Sequence, residues 1–447
     1  MKTPAFIQRL FAPKSKAESK PDRHTRRTVS LCHALLSERG EASGAALARE
    51  ALAAYRMLEG PALKAFFDVL AEEFSPDPTV VDEASDAYRQ DPSPARLVRL
   101  QHVVEAPRQE LFRRLNLAGG GTAALVEMRR ILLRDIKTQP QWAGIDADLG
   151  HLLSSWFNRG FLTLQRIDWR TPALVLEKLM QYEAVHEIQG WRDLRRRLES
   201  DRRCFAFFHP ALPDEPIIFI EVALTKGMSE KVQPLLDPDS PVVDPAGADA
   251  AIFYSITNCQ EGLRGISFGN FLIKQVAADL GREFPRLKTF ATLSPIPGFR
   301  KWLSESAASH AELAKVTAAI SKADWLENPG IYADLQNELM RLCAHYLLHA
   351  KHDNEPADSV ARFHLGNGAR MERLNWLADS SKTGMARSAG LMVNYVYRLK
   401  DVERNHETYA NKHAVVASPG LALLARESLL ARSAAKRKAY TARAPRE

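Results

Sequence analysis

The sequence predicts an α/β protein with two structural parts, a helical N-terminal domain followed by a domain of mixed strands and helices. Between residues 28 and 168, Ala and Leu recur at helical spacing with Arg and Glu between them. Pro76 and Pro78, then Pro92 and Pro94, separate these helical segments. In the second half of the chain, short apolar runs of strand length alternate with helical periodicity. A chain of 447 residues is long enough to bury two separate cores.

The helical domain is predicted to extend from residue 28 to 168. Its clearest periodic segments are GAALAREALAAYRMLE at 44–59 and TAALVEMRRILLRDIK at 122–137. The sequence has no fixed-period repeat, so a bundle is favoured over a solenoid. Such a bundle serves oligomer contacts or forms one wall of an active-site cleft, and the sequence leaves both roles open. The basic segment 1–27 is predicted to be a disordered tail.

The α/β part is predicted to begin with a hairpin. Apolar runs at 204–209 and 217–224 are joined by the turn-forming sequence Pro213–Pro216. Residues 305–353 return to helical spacing, which predicts a helical insertion. The remaining predicted elements are short strands at 362–365 and 391–399 and a basic C-terminal helix or tail at 421–447.

Residues 251–303 form the central unit of the α/β part. Its predicted elements are a strand at Ala251–Thr257, a loop with Gly262, Gly265 and Gly269, a helix from Phe268 to Phe284, and a strand at Leu287–Leu293. A strand that runs through glycines into a helix N-terminus forms an anion site, because the first N–H groups of the helix are unpaired. Three glycines also fit a tight turn without a ligand. Gln260 and Arg264 favour the phosphate-binding alternative.

Four segments of the chain resemble the malonyl-CoA decarboxylase family. They are YSITNCQEGLRGISFGNFLIK at 254–274, FATLSPIPGFRKWL at 290–303, FHLGNGA at 363–369 and GLMVNYVY at 390–397. The resemblance covers residues 170 to 420, and the helical part more loosely. It implies a catalytic domain of the acetyltransferase-like GNAT fold at 169–420, with the helical insertion, and an oligomerisation role for residues 28–168. The implied assembly is a homotetramer built as a dimer of dimers.

The resemblance also implies that the glycine loop binds coenzyme A. The predicted binding residues are Gln260, Glu261, Gly262, Leu263, Arg264, Gly265 and Ile266, with the loop backbone facing the pyrophosphate. GNAT proteins hold this pyrophosphate with the pattern Q/R-x-x-G-x-G/A, whereas this loop reads Q-x-G-x-x-G. The inner glycine is therefore displaced by one position.

The same resemblance assigns catalytic roles to Ser294, His364 and Tyr395, and places Ser294, His364 and Asn394 among the substrate contacts. Taken alone, Ser294 fits a capping serine, because no G-x-S-x-G elbow is present. His364, taken alone, fits a structural histidine. Tyr395 either orients substrate or packs as a core aromatic. Ser294 is implied to hold the malonyl carboxylate or accept its proton, and protonated His364 to give a proton to carbon. Because both end predicted strands, we expect Ser294 and His364 to meet across one cleft.

The implied reaction converts malonyl-CoA to acetyl-CoA and CO2, and it needs no cofactor beyond the coenzyme A of the substrate. Loss of CO2 leaves an enolate whose charge spreads onto the thioester carbonyl, so the substrate is its own electron sink. No cluster of Asp, Glu or His has metal-ligand spacing, and no metal is predicted. Two alternatives stay open: an acyl-CoA-dependent acyltransferase on the same fold, and a catalytically silent scaffold.

The net charge of +7 is concentrated at the two ends of the chain. Residues 1–30 carry +6 and residues 421–447 carry +5, which leaves −4 for the rest. This distribution predicts no nucleic-acid partner, and no apolar run approaches the ~18 residues of a membrane helix. Four widely spaced cysteines without a C-x-x-C motif predict a reducing, cytoplasmic location. The resembled family nevertheless leaves thiol pairing at the surface open.

Overall fold

The computed structural model describes residues 23–266, 268, 272–322, 325–326 and 329–432. The chain divides into two units. The first contains the chain up to Trp156 together with Glu261–Ile266, and the second contains Phe157–Gln260 and the remainder. Gly269 and most of the two predicted basic tails lie outside the described residues. The predicted tail 1–27 overlaps a helix that begins at Arg23.

The first unit consists of helices joined by short turns. They are α1 (Arg23–Ser37), α2 (Glu41–Arg56), α3 (Gly60–Glu72), α4 (Pro78–Gln90), α5 (Pro94–Val104), α6 (Pro107–Asn116), α7 (Gly121–Asp135) and α8 (Ala143–Trp156). Proline starts α4, α5 and α6, where its missing N–H would have no helical partner. The apolar faces bury a core that includes Phe66, Phe112 and Trp142.

The second unit contains the sheet and its covering helices. Its strands are β1 (Thr163–Ile167), β2 (Arg202–His209), β3 (Leu212–Thr225), β4 (Ala250–Asn258), β5 (Thr289–Thr292), β6 (Ser294–Pro295), β7 (Lys351–His352), β8 (Glu355–Pro356), β9 (Arg370–Asn375) and β10 (Met392–Val396). Its helices are α9 (Ala173–Tyr182), α10 (Trp191–Arg197), α11 (Gln233–Leu236), α12 (Leu272–Glu283), α13 (Phe299–Ala307), α14 (Ala311–Ile320), α15 (Pro329–His349), α16 (Ser359–Gly366), α17 (Lys382–Ser388), α18 (Val402–Lys412) and α19 (Pro419–Arg426).

Within the described residues, eight strands form one sheet in the order β1-β2-β3-β4-β5-β10-β6, with β9 paired to β10. Strands β4 and β5 are parallel, and the other neighbouring pairs are antiparallel. A parallel pair needs a crossover, which α12 supplies. Strand β3 is buried from Pro216 to Leu224, and this burial explains its nearly continuous apolar sequence. Among the described helices, none has the length and apolar character to cross a membrane.

Three predictions about local structure are wrong. The hairpin turns between His209 and Leu212, so Pro213–Pro216 lies within β3. Residues 362–365 lie in helix α16 and not in a strand, because Asp358 caps the start of a helix there. Strand β1 lies inside the range predicted to be helical, and the first unit ends at Trp156 instead of residue 168.

Candidate active site

Ser294 lies where a strand of the sheet is interrupted. Strand β5 ends at Thr292, and β6 then pairs with β10, where Val393 is opposite Ser294. At the interruption, the N–H of Tyr395 donates to Thr292 Oγ1 at 3.2 Å. Thr292 and Ser294 are two residues apart and share one face, so the Ser294 hydroxyl donates to Thr292 Oγ1 at 2.8 Å.

His364 reaches Ser294 from helix α16. Asp358 caps this helix by accepting a hydrogen bond from the N–H of Ala361 at 2.9 Å. His364 falls in the last turn, only 3% exposed, and its Nε2 lies 3.0 Å from Ser294 Oγ. The structure therefore brings together the two residues of the predicted catalytic pair, which are 70 positions apart.

The second ring nitrogen of His364 is bonded to Tyr397, whose hydroxyl lies 2.8 Å from Nδ1. The Ser294 hydroxyl has one proton, which it donates to Thr292, so it accepts from Nε2 of His364. In a neutral imidazole Nδ1 is then the acceptor, and Tyr397 is the donor. The result is a directed chain of hydrogen bonds from Tyr397 through His364 and Ser294 to Thr292.

His364 is neutral in this arrangement, which differs from the protonated histidine that the family resemblance implies. Burial lowers the pKa of His364 to about 3, because the charged imidazolium would lose its hydration. The ring of Tyr395 stacks on the imidazole, with 4.4 Å between the ring centroids. The Tyr395 hydroxyl is buried and has no hydrogen-bond partner among the described residues. Tyr395 thus contacts His364 through its ring.

Asn394 lies beside the pair, but its side-chain amide is already bonded within the protein. Its Nδ2 donates to the carbonyl oxygens of Thr292 at 2.7 Å and Ser229 at 3.2 Å. Its Oδ1 accepts from Asn375 at 2.7 Å and from Arg373 at 3.3 Å. These contacts tie β10 to its surroundings and leave the amide little capacity for a substrate.

The predicted coenzyme A loop is divided between the two units at Gln260. The Gln260 side chain donates to Pro216 O at 3.1 Å in the second unit. The next six residues belong to the first unit, where Gly262, Leu263 and Ile266 are buried and Glu261, Arg264 and Gly265 are exposed. The structure therefore does not place all seven predicted residues in one unit.

Gly262 has a different reason to be glycine from the one the sequence implies. A Cβ at this position would lie 2.0 Å from the carbonyl oxygen of Val126 on helix α7. Packing of backbone against backbone therefore requires a residue without a side chain at this position. Gly265 has open space around its Cα and a φ of +81°, so it is the glycine that the loop conformation requires.

Comparison with known proteins assigns the chain to a family. The profile of the malonyl-CoA decarboxylase C-terminal domain matches residues 160–438, and that of the N-terminal domain matches residues 74–157. The mitochondrial malonyl-CoA decarboxylase of Anser anser anser is 36% identical over 403 residues, which cover 81% of this chain and 80% of the relative. The chain belongs to the malonyl-CoA decarboxylase family. The Rattus norvegicus mitochondrial enzyme is 37% identical over 352 residues, 72% of this chain and 71% of its own length.

Solved structures of malonyl-CoA decarboxylases also match the fold. The protein from Rhodopseudomonas palustris has a TM-score of 0.86 and 48% identity, and the match covers 89% of this chain and 98% of that one. The protein from Cupriavidus metallidurans has a TM-score of 0.71 and 37% identity, with coverage of 90% and 100%. The mixed α/β unit and the helical N-terminal region are therefore the architecture of malonyl-CoA decarboxylases.

Within this malonyl-CoA decarboxylase fold, Tyr397 and Thr292 are the site residues that the sequence interpretation missed. Both lie in segments that carry the resemblance, GLMVNYVY and FATLSPIPGFRKWL. The available signal was the alternation of a strand: a residue two positions from Tyr395 or from Ser294 is on the same face. Applied to the two assigned residues, that rule finds both partners.

Thiol chemistry at the surface is not supported for this family member. The four cysteines are all unpaired and buried. Burial raises the pKa of Cys32 to about 12 and also raises the pKa of Cys259, the thiol beside the loop. Neither thiol is exposed or ionised at neutral pH, so the surface pairing that the resemblance left open has no candidate among these cysteines.

Proposed function

We propose that this chain decarboxylates malonyl-CoA to acetyl-CoA and CO2, with Ser294 and His364 as the reacting pair. Membership of the malonyl-CoA decarboxylase family supports the reaction. The contact of 3.0 Å between Ser294 Oγ and His364 Nε2 is the observation that supports the site, because it places a hydroxyl and an imidazole together in a buried position.

The first step is binding of the malonyl carboxylate beside Ser294. The carboxylate accepts a hydrogen bond from the serine hydroxyl, which exchanges its bond to Thr292 for one to the substrate. A negative charge next to His364 favours the imidazolium and raises the pKa that burial had lowered. His364 therefore takes up a proton as the substrate binds.

The second step breaks the bond between the carboxylate carbon and the α carbon. The electron pair of this bond moves into the thioester as an enolate, and CO2 leaves without charge. His364 then gives its proton to the α carbon, and burial favours this transfer because it restores a neutral imidazole. One proton is consumed for each CO2 released.

Coenzyme A binding is assigned to the loop at 260–266, and no further cofactor is proposed. The exposed Arg264 supplies positive charge within the loop, and the positive φ of Gly265 is typical of backbone turns that bind anions. Metal and cofactor independence follows from the chemistry, in which the thioester carbonyl accepts the electrons.

The GNAT fold, the homotetramer and the cytoplasmic location also remain proposals. One parallel pair, β4 and β5, in an otherwise antiparallel sheet is compatible with an acetyltransferase-like fold. The relatives from goose and rat are named mitochondrial, so the location needs a direct measurement, such as fractionation of cells that express the native chain.

The test of the function is turnover of malonyl-CoA alone, compared between the unaltered protein and His364→Asn. We expect acetyl-CoA as the chromatographic product, and a fall in kcat of about 100- to 10,000-fold in the variant with affinity for malonyl-CoA within a few-fold. A variant that keeps turnover within a few-fold would remove His364 from the mechanism. An acyltransferase would instead need an added acceptor amine, and a scaffold would show no turnover.

A further inference from the structure

Arg129, on helix α7, holds the loop at 261–266 from inside the helical unit. It is only 6% exposed. Its Nη1 donates to the carbonyl oxygens of Gly262 at 2.8 Å and Arg264 at 2.9 Å. Its Nε donates to Asp146 Oδ1 at 2.8 Å, so the charge is balanced within the same unit. One guanidinium therefore fixes the direction of two peptide groups in the loop.

The directions of these carbonyls determine where the neighbouring N–H groups point. In a trans peptide the C=O of one residue and the N–H of the next are antiparallel, and none of the described peptides is cis. The N–H groups of Leu263 and Gly265 therefore point away from Arg129. The N–H groups of Arg264 and Ile266 are used inside the loop. Arg264 donates to Glu261 O, and Ile266 donates to Leu263 O.

The Leu263 N–H belongs to a short 3-10 turn over Glu261–Leu263, whereas the Gly265 N–H faces away from the helix at an exposed glycine with a φ of +81°. A loop N–H directed outward at a residue of positive φ has the geometry of a backbone anion site. Close packing keeps the loop in place, because Gly262 lies against the backbone of Val126. Helix α7 thus determines the position of the loop. Arg129 orients two carbonyls of the loop, and the contact at Gly262 sets the distance between the loop and the helix.

We propose that Arg129 is a positioning residue for the pyrophosphate of coenzyme A, which the N–H of Gly265 binds. This inference rests on the proposed function and extends the binding site to a residue of the helical domain that does not touch the ligand. The helical domain then contributes to substrate affinity within a single chain, in addition to any role in assembly.

Arg108 offers a matched control in the same unit. It is 7% exposed and pairs with Asp148 at 2.5 Å. Its Nη1 donates to Ser75 Oγ at 2.6 Å and to the carbonyls of Leu70 and Phe74 at 3.4 Å. Arg108 is therefore equally buried, equally paired and also bonded to carbonyls, but its partners lie outside the loop.

The experiment compares Arg129→Lys with Arg108→Lys on two substrates, malonyl-CoA and malonyl-pantetheine, which lacks the pyrophosphate. Lysine keeps the charge opposite the aspartate but cannot hold both carbonyls in the same way. For Arg129→Lys we expect KM for malonyl-CoA to rise about 10- to 100-fold, kcat to stay within about threefold, and KM for malonyl-pantetheine to be unchanged. Arg108→Lys should shift neither KM.

Equal KM shifts on both substrates, equal effects of the two lysine variants, or an unchanged KM in Arg129→Lys would each overturn the proposal. Calorimetry with coenzyme A and pantetheine supplies a readout that does not depend on turnover. Weaker binding of coenzyme A but not of pantetheine by Arg129→Lys would support the loop assignment even if malonyl-CoA were not turned over. That combination would reject the decarboxylase function alone.

Discussion

Burial of His364 as a neutral imidazole controls when this residue carries a proton. The ring is only 3% exposed and lies between Ser294, Tyr397 and the stacked ring of Tyr395. In the proposed cycle the substrate carboxylate is the partner that makes the charged form favourable. The histidine is thus charged only while a carboxylate is present, which protects the site from proton uptake in the free protein.

The same burial predicts how stability depends on pH. The folded pKa of His364 is about 3 and the ordinary value is 6.5. Stability is therefore fully present above pH 6.5 and is lost as pH falls towards 3, because only the unfolded chain takes up the proton. At pH 5 the expected loss in unfolding free energy from this residue is about 2 kcal/mol, at roughly 1.4 kcal/mol per pH unit.

Urea unfolding at pH 7.5 and pH 5.0 measures this loss. The unaltered protein should lose about 2 kcal/mol more than His364→Asn between the two conditions. Other titrating groups are common to both chains and cancel in the comparison. Equal losses would mean that His364 is not buried as a neutral group.

Tyr397 and Tyr395 should respond differently to loss of their hydroxyls. Tyr397→Phe leaves Nδ1 of His364 without a donor, which costs about 1–3 kcal/mol for a buried polar atom. The imidazole is then free to take the other tautomer, and we expect kcat to fall about 10-fold or more at nearly constant affinity. Tyr395→Phe keeps the stacked ring and removes a hydroxyl without a partner among the described residues, so its kcat should be nearly unchanged.

Steady-state kinetics of the two variants decide between the roles of these tyrosines. A larger loss in Tyr395→Phe would restore the catalytic assignment of the Tyr395 hydroxyl.

From sequence alone, family resemblance identifies Ser294 and His364 as site residues, and no motif does. Their contact joins a strand break to a helix end 70 residues away, and no local pattern encodes such a distance.

At the scale of elements, helix α7 and the loop at 261–266 behave as one structural piece. The loop follows β4 in the sequence, but its packing partners are Val126 and Arg129 of the helix. The glycine spacing predicts ligand contact at Gly262. The structure shows that one of the glycines serves packing, and sequence patterns do not separate these two causes.

Substitution at Gly262 should therefore be costly for folding. In Gly262→Ala the new Cβ meets the Val126 carbonyl at 2.0 Å, so backbone must move, and we expect about 1–3 kcal/mol of destabilisation. Gly281→Ala, within helix α12, is the control, because its Cβ would lie at an ordinary contact distance of 3.6 Å from the Phe290 ring. That variant should gain about 0.5–1 kcal/mol from the lower entropy of alanine.

Thermal or chemical unfolding of both variants tests the packing role. A stable Gly262→Ala with weak coenzyme A binding would favour an anion approaching Gly262.

The choice between helix and strand at residues 362–365 also shows a limit of sequence patterns. Residues 362–365 are too few to display either period, and the capping by Asp358 that makes them helical acts from outside the segment.

At the scale of the whole molecule, helix α5 has the strongest sign of an interface. It has no buried residue in the described chain, and Leu97, Val98 and Val104 are exposed along it. Apolar side chains at these positions are better covered than hydrated. This surface supports the proposed assembly of identical chains.

Light scattering should give a mass near four times that of one 50.0 kDa chain. In Val98→Glu a charge replaces a half-exposed apolar side chain, so we expect smaller species without loss of helicity. Leu423→Glu makes the same change on an exposed apolar residue of the α/β unit and should leave the mass unchanged. A strict monomer at micromolar concentration would contradict the assembly.

The two-part organisation was predictable from the sequence, and its boundary was not. Helical periodicity and strand-length runs separate the parts, because each reflects a repeating contact with a core. Strand β1 is short and alternates weakly, so nothing before residue 168 signalled that the sheet had begun. Residues 261–266 belong to the helical unit because of the contact between Arg129 and Gly262, which are 133 residues apart.

That separation has a consequence for synthesis on the ribosome. Translation adds about 5–20 residues each second, so the loop leaves the ribosome roughly 10 s after Arg129 does. The N-terminal helices emerge first, at a stage when Asp146 has been made but the two carbonyl partners of the guanidinium have not. The helical unit is therefore completed only after β4 has been made, and a fragment that stops at Trp156 would lack a part of its own packing.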